Sequence, residues 1–115
     1  MKSGMQFRQG DIIIVPFPFS DLRGTKQRPV LVLSKTEYND ACEDVVTCGI
    51  TSNKKDSKYA VLIDNKDLIE GQIPTSSRIK VDKLFTLEKT IIIKKIARVN
   101  KETFEKVKKE FINLI

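Results

Sequence analysis

KQRPVLVLS, residues 26–34, is the stretch on which the reading of this chain turns. Its apolar part, Pro29 to Ser34, has the length of a buried strand. Pro29 biases Arg28 toward extended backbone, so the guanidinium leaves a stiff strand at a fixed angle. A guanidinium held in this way suits a phosphate, because its planar fork donates two parallel hydrogen bonds. The same side chain equally serves an ordinary surface ion pair, and these nine residues alone leave both open.

Upstream, Gly10-Asp11 opens a strand, Ile12-Ile13-Ile14-Val15, which Pro16 and Pro18 are expected to end. Residues 16–27 (PFPFSDLRGTKQ) then read as a loop, long for so small a chain, and loops of that length are often functional. Downstream, residues 36–43 form a turn or short helix and residues 45–50 (VVTCGI) a third strand. Residues 51–58 (TSNKKDSK) are a polar, basic loop, and residues 59–64 (YAVLID) a fourth strand, followed by a turn through Asn65 and Gly71. Residues 78–81 make a fifth strand, with Ser77, Ile79 and Val81 on one face and Arg78, Lys80 and Asp82 on the other. Residues 85–87 and 91–93 continue as short extended pieces. Short strands punctuated by turns predict a mainly β chain folded as a compact antiparallel barrel.

The period then changes. Phe104, Val107, Phe111 and Leu114 recur at helical spacing, which predicts a C-terminal helix over residues 101–113 with an apolar stripe against the barrel. Asn100 suits its N-cap, and Glu102 lies in the first turn, where the helix dipole favours an acid.

At 115 residues the chain is expected to be one domain, residues 1–115. Lysine and arginine outnumber the acids 21 to 15, a net charge of +6 that draws polyanions or acidic proteins. Histidine is absent, which removes imidazole catalysis, Ser-His triads and most zinc catalysis. Cys42 and Cys48 are too few for a disulfide framework or a structural metal, and Cys48, in an apolar run, reads as a small hydrophobe. Phosphate-binding glycine loops and CxxC pairs are also missing, so no metal and no cofactor is expected. No apolar run approaches the ~20 residues of a membrane span, and residues 1–9 lack the hydrophobic stretch of a secretory signal. A cytoplasmic protein without membrane contact is the expectation.

Chemistry is then sought at strand ends, where rigid scaffolds mount their sites. Arg28, the Thr51-Ser52 step, and Lys80 with Asp82 are the candidates. Thr51 and Ser52 also suit the start of a polar turn, and Asp82 beside Lys80 and Lys83 also suits a solvated pair. Lys54, in the basic loop, would carry phosphate rather than read bases. Phe17, Phe19 and Tyr59 suit stacking on unpaired bases or, for the two phenylalanines, capping the barrel mouth.

Gly10-Asp11-Ile12, Pro16-Phe17, residues 26–34 and Ile50-Thr51-Ser52, in that order and spacing, resemble the MazF/PemK family of toxin endoribonucleases. The likeness continues through residues 77–86 (SRIKVDKLFT) and the terminal helix, and so covers nearly the whole chain. It implies a partly open, SH3-like antiparallel barrel with a C-terminal helix, as in MazF, PemK and CcdB toxins, paired as a symmetric homodimer. It further implies metal-independent, sequence-selective cleavage of single-stranded RNA, with a cognate antitoxin protein silencing the enzyme. In that reaction the ribose 2′-OH attacks the adjacent phosphorus, leaving a 2′,3′-cyclic phosphate and a free 5′-OH.

Carried over by position, the resemblance makes Arg28 the stabiliser of the phosphorane and Thr51 a hydrogen-bond donor to the scissile phosphate, with Ser52 assisting. Asp82 matches an acid proposed as a base in some members, and Lys80 stands where those members carry arginine. Gly49 stands where proline is common, and the histidine some relatives place in the first loop has no counterpart here. Substrate contacts are expected at Ser52, Lys80, Lys26, Phe17, Lys54 and Ser77. The alternatives are a non-catalytic toxin of the same fold that inhibits a protein such as DNA gyrase, and a plain RNA-binding barrel. Neither needs Arg28 and Thr51.

Overall fold

The computed structural model describes residues 5–17, 26–53, 55 and 57–115. Seven strands form one antiparallel sheet: β1 (Asp11–Phe17), β2 (Lys26–Val32), β3 (Asp44–Thr51), β4 (Ala60–Ile63), β5 (Leu68–Gly71), β6 (Ser77–Glu88) and β7 (Lys94–Val99). Their order across the sheet is β4-β6-β3-β2-β1-β7-β5. A short helix, α1 (Thr36–Ala41), links β2 to β3, and α2 (Lys101–Leu114) closes the chain.

The sheet is rolled, and the core shows why. One cluster joins Val61 and Ile63 of β4 to Ala97 and Val99 of β7, through Ile79, Ile50, Leu31 and Ile12 of the strands between. Flat strands about 4.8 Å apart would hold β4 and β7 roughly 24 Å from each other. Curling brings them together, and α2 lays Phe104 and Val107 over the same cluster. The alternate residues Ile13, Val15, Val30, Val32 and Val45 bury themselves in a second cluster on the opposite face. Both faces of β1 and β2 are therefore covered, which is why their sequences read as unbroken apolar runs. The architecture is the expected mainly β, partly open barrel with a C-terminal helix.

Several expected boundaries shift, each for a physical reason. β1 runs through Pro16 to Phe17, because pairing with β7 stops at Ile14 and the proline costs no hydrogen bond on that side. Pro29 is tolerated likewise, since β2 first pairs with β3 at Val30. Residues 85–87 are not a separate piece but the second half of the twelve-residue β6. Ile91 ends a 3₁₀ turn, Lys89–Ile91, before β7 begins. β5 and β7, too short and charged to announce themselves, form by pairing with each other and with β1. Asn100 does cap α2, its side chain accepting a 2.8 Å hydrogen bond from the Thr103 N–H.

The Gly10-Asp11-Ile12 block is explained by closure. Gly10 donates its N–H to the Val32 carbonyl and accepts from the Val99 N–H, tying β2 and β7 to the start of β1. Asp11 is fully buried, accepts from the Arg8 N–H at 2.8 Å and lies 3.2 Å from the Lys95 ammonium. Arg98, 4.0 Å from Asp11, binds Glu70 of β5 at 2.6 Å. Removing one partner from a buried pair leaves the other uncompensated. Asp11→Asn is expected to cost about 1–3 kcal/mol, read as a fall in the urea midpoint at unchanged slope.

Candidate functional site

The site grows out of the register of three neighbouring strands. Val30 of β2 pairs with Gly49 of β3, and Gly49 pairs with Lys80 of β6, so the three form one cross-strand row. Arg28, two residues before Val30 on β2, and Thr51, two residues after Gly49 at the end of β3, both line a single cleft. Gly49 adds no side chain to the floor of this cleft. A methyl at this position would lie 3.4 Å from the Lys83 Cβ and 3.8 Å from the Phe85 ring.

β6 supplies the far wall through a bulge. Cys48 pairs with Leu84 while its neighbour Gly49 pairs with Lys80, so Val81, Asp82 and Lys83 are extra residues in one strand. A bulge bends the strand and re-aims side chains. Here it also reverses the strand's facing: Ile79 and Val81 belong to the core cluster under α2, but Leu87 belongs to the other one. Phe85 is thereby turned to the cleft, edge-on to Phe17 with ring centroids 5.6 Å apart.

The cleft has a volume near 320 Å³ and is lined by Arg28, Lys80, Lys83, Thr51, Asn53, Phe17 and Phe85 over a floor of Pro29, Val30, Gly49 and Ile50. Among the described residues three cations line it and no carboxylate does. Arg28 is exposed, and among the described residues no acid lies within ion-pairing distance of it. Lys80, by contrast, is only 3% exposed. Its ammonium donates to the Lys58 carbonyl and lies 3.3 Å from the Asp82 carboxylate, so its position is fixed. Thr51 accepts a 3.1 Å hydrogen bond from the Asn53 N–H. The polar turn and the site are therefore compatible: the hydroxyl oxygen shapes the loop while its O–H remains to donate.

Of the residues singled out from sequence, Arg28, Thr51, Lys80 and Phe17 meet in this cleft. Asp82 stands behind it, acting on Lys80. Ser52 and Lys26 are exposed beside the cleft without lining it. Ser77 is buried and donates its hydroxyl to the Thr75 carbonyl at 3.0 Å, away from the cleft. Lys54 and Phe19 lie outside the described residues, as does most of the first loop. Lys83, Asn53 and Phe85 were not foreseen. The adjacent charges Asp82 and Lys83, which break the alternation of β6, were the available signal for the bulge.

Cys48 is buried, and burial, reinforced by the Asp82 charge, pushes its thiol well above the usual range. A thiol so protonated is a core residue and no nucleophile. Among the described residues no cluster of three metal-ligating side chains occurs, and no helix is long and apolar enough to cross a membrane.

Comparison with known proteins agrees with this geometry. A mycobacterial endoribonuclease in complex with its cognate antitoxin superposes with a TM-score of 0.76 at 18% identity, over 93% of this chain and 92% of that one. MazF from Deinococcus radiodurans gives 0.76 at 19% identity, over 96% and 97%. The MazE–MazF complex of the same organism gives 0.77 at 20% identity, over 96% of each chain. These likenesses establish the fold. No curated protein matches. Residues 8–115, nearly the whole chain, match the family described as PemK-like, MazF-like toxin of type II toxin–antitoxin system, and the chain belongs to that family.

Proposed function

We propose that this toxin is an endoribonuclease that cleaves single-stranded RNA at a backbone phosphate held between Arg28 and Thr51. The observation that carries the reading is the cleft in which Arg28, Lys80 and Lys83 converge beside the Thr51 hydroxyl, with no carboxylate among the described lining residues. Similar folds belong to proteins described as endoribonucleases, which supports the same activity here.

Attack of a 2′-OH on phosphorus places extra negative charge on the non-bridging oxygens. Preorganised donors aimed at such developing charge usually supply the largest part of catalysis. Arg28 grips those oxygens with its fork, Thr51 donates its O–H, and Lys80 adds a fixed positive charge. Asp82 holds the Lys80 ammonium in place, so it acts as a positioning residue rather than from within the cleft. The reaction proceeds without a metal ion: three lining cations repel a divalent ion, the described lining residues offer it no carboxylate, and the chain has no imidazole.

Regulation follows from the same charge. An acidic segment of a cognate antitoxin lies across the basic cleft and excludes RNA, and the toxin acts as a homodimer. Such a complex should weaken as salt is raised, because screening shortens the reach of surface charges; an affinity independent of salt would contradict an electrostatic groove.

The test uses the purified chain and a long unstructured RNA in excess EDTA. Discrete fragments carrying 2′,3′-cyclic phosphate and 5′-OH ends are expected. Uncut RNA would overturn the nuclease reading in favour of a toxin that only binds a protein target, and cleavage that appears only on adding magnesium would overturn the metal-free mechanism.

A further inference from the structure

We infer that Asn53, Phe17 and Phe85 form a base-reading subsite adjoining the phosphate cleft, one that selects an unpaired base carrying a ring carbonyl over adenine. This rests on the nuclease reading and goes beyond it, to which nucleotide is accepted.

The cleft divides by chemistry. Its cations, Arg28, Lys80 and Lys83, suit phosphate, but they share the space with an aromatic wall of Phe17 and Phe85 and with one amide, Asn53. Phosphate alone gives no reason for such a wall. Unpaired RNA bases do, since they stack on aromatic side chains and are read along their exposed edges. At 320 Å³ the space is at the small end for a ligand site, where pockets run from about 300 Å³ upward. That is room for one base beside its phosphate rather than for a longer segment.

Asn53 sets which base fits. Its Oδ1 accepts the Lys55 N–H at 3.0 Å, and since a backbone N–H must meet an acceptor, this fixes which end of the amide is oxygen. The NH₂ end is left as the group that Asn53 offers. A donor of this kind matches the carbonyl oxygens of uracil or guanine. Each carbonyl keeps a second lone pair away from its neighbouring ring N–H, whereas on adenine's Watson–Crick and Hoogsteen edges N1 and N7 have one lone pair each beside the N6 amino group, and the Asn53 oxygen that could accept from that amino group is already engaged by Lys55.

Cleavage sites are first mapped on long transcripts with the wild-type chain. Short RNAs centred on the preferred site are then compared, with the nucleotides flanking the scissile phosphate changed to uracil, adenine or an abasic residue. At one flanking position, uracil should exceed adenine in kcat/KM by about tenfold, the worth of one well-made hydrogen bond. Asn53→Asp keeps the oxygen that holds the Lys55 N–H but removes the donor. It should bring the uracil-to-adenine ratio to about one or below, since a carboxylate only accepts and adenine's N6 amino group donates, while repulsion of the backbone phosphates lowers both rates alike. Phe85→Leu keeps an apolar wall but removes the stacking face. It should raise KM for base-bearing RNA by about tenfold while leaving the abasic RNA unchanged. Unchanged ratios and site maps in both variants, with cleavage intact, would overturn the subsite and leave the nuclease reading standing. RNA left whole by the wild-type chain would overturn both.

Discussion

Replacing Arg28 by alanine is expected to lower kcat/KM on RNA by about a thousandfold, with the loss falling mainly on kcat. Removal of a single preorganised donor to a developing oxyanion costs about 10²–10³ in rate, and Arg28 brings a full charge and two parallel donors. Arg28→Lys should recover little of this, because an ammonium cannot reproduce the fork. Thr51→Ala, which removes one neutral donor, should fall short of the arginine effect. Stability is the control: Arg28 is exposed and pairs with no acid among the described residues, so its loss should change folding by less than about 0.5 kcal/mol. Activity within tenfold of wild type in a folded Arg28→Ala protein would remove this residue from the chemistry.

Arg28 and Thr51 stood out in the sequence because both sit at the ends of apolar strands, and it was the family resemblance that put them in one site. The rest of the cleft was hidden by phase. Strict alternation along β6 puts Lys80 on a solvent face, yet its side chain is buried, with β3 and β4 flanking the strand there and its ammonium tied to the Lys58 carbonyl and the Asp82 carboxylate. Three extra residues then invert the strand, so Phe85 points where the alternation forbids it. No period-two reading follows a strand across a bulge of unknown size. The edge strands escaped for another reason. β5 has mostly exposed residues and β7 carries three charges in six residues without a clean alternation, so their extended form is a product of tertiary pairing and not of local preference.

That dependence on pairing makes Gly71 the position where a single methyl group should do most damage to the fold. Gly71 ends β5 with φ at +78°, a backbone region that costs an L-residue about 1–2 kcal/mol. An added Cβ would also overlap the Ile96 carbonyl oxygen and sit 2.7 Å from the Ala97 Cα, and both are backbone atoms that cannot swing aside. Gly71→Ala must therefore part β5 from β7. The Arg98–Glu70 ion pair is broken, and the buried Ala97 and Val99 lose the strand beside them. A total of about 3 kcal/mol is expected, the upper end of the usual range for point changes. In a chain of this size it should lower Tm by roughly 12 °C. The loss is bounded because β5 is an edge strand that can peel away while the remaining six hold. It should also spare the chemistry, since β5 lies three strands beyond β2 and contributes nothing to the cleft. Calorimetry alongside RNA cleavage well below the transition separates the two effects. An unchanged Tm would contradict the close approach of Gly71 to Ile96, and lost activity at full stability would tie this edge of the sheet to the site.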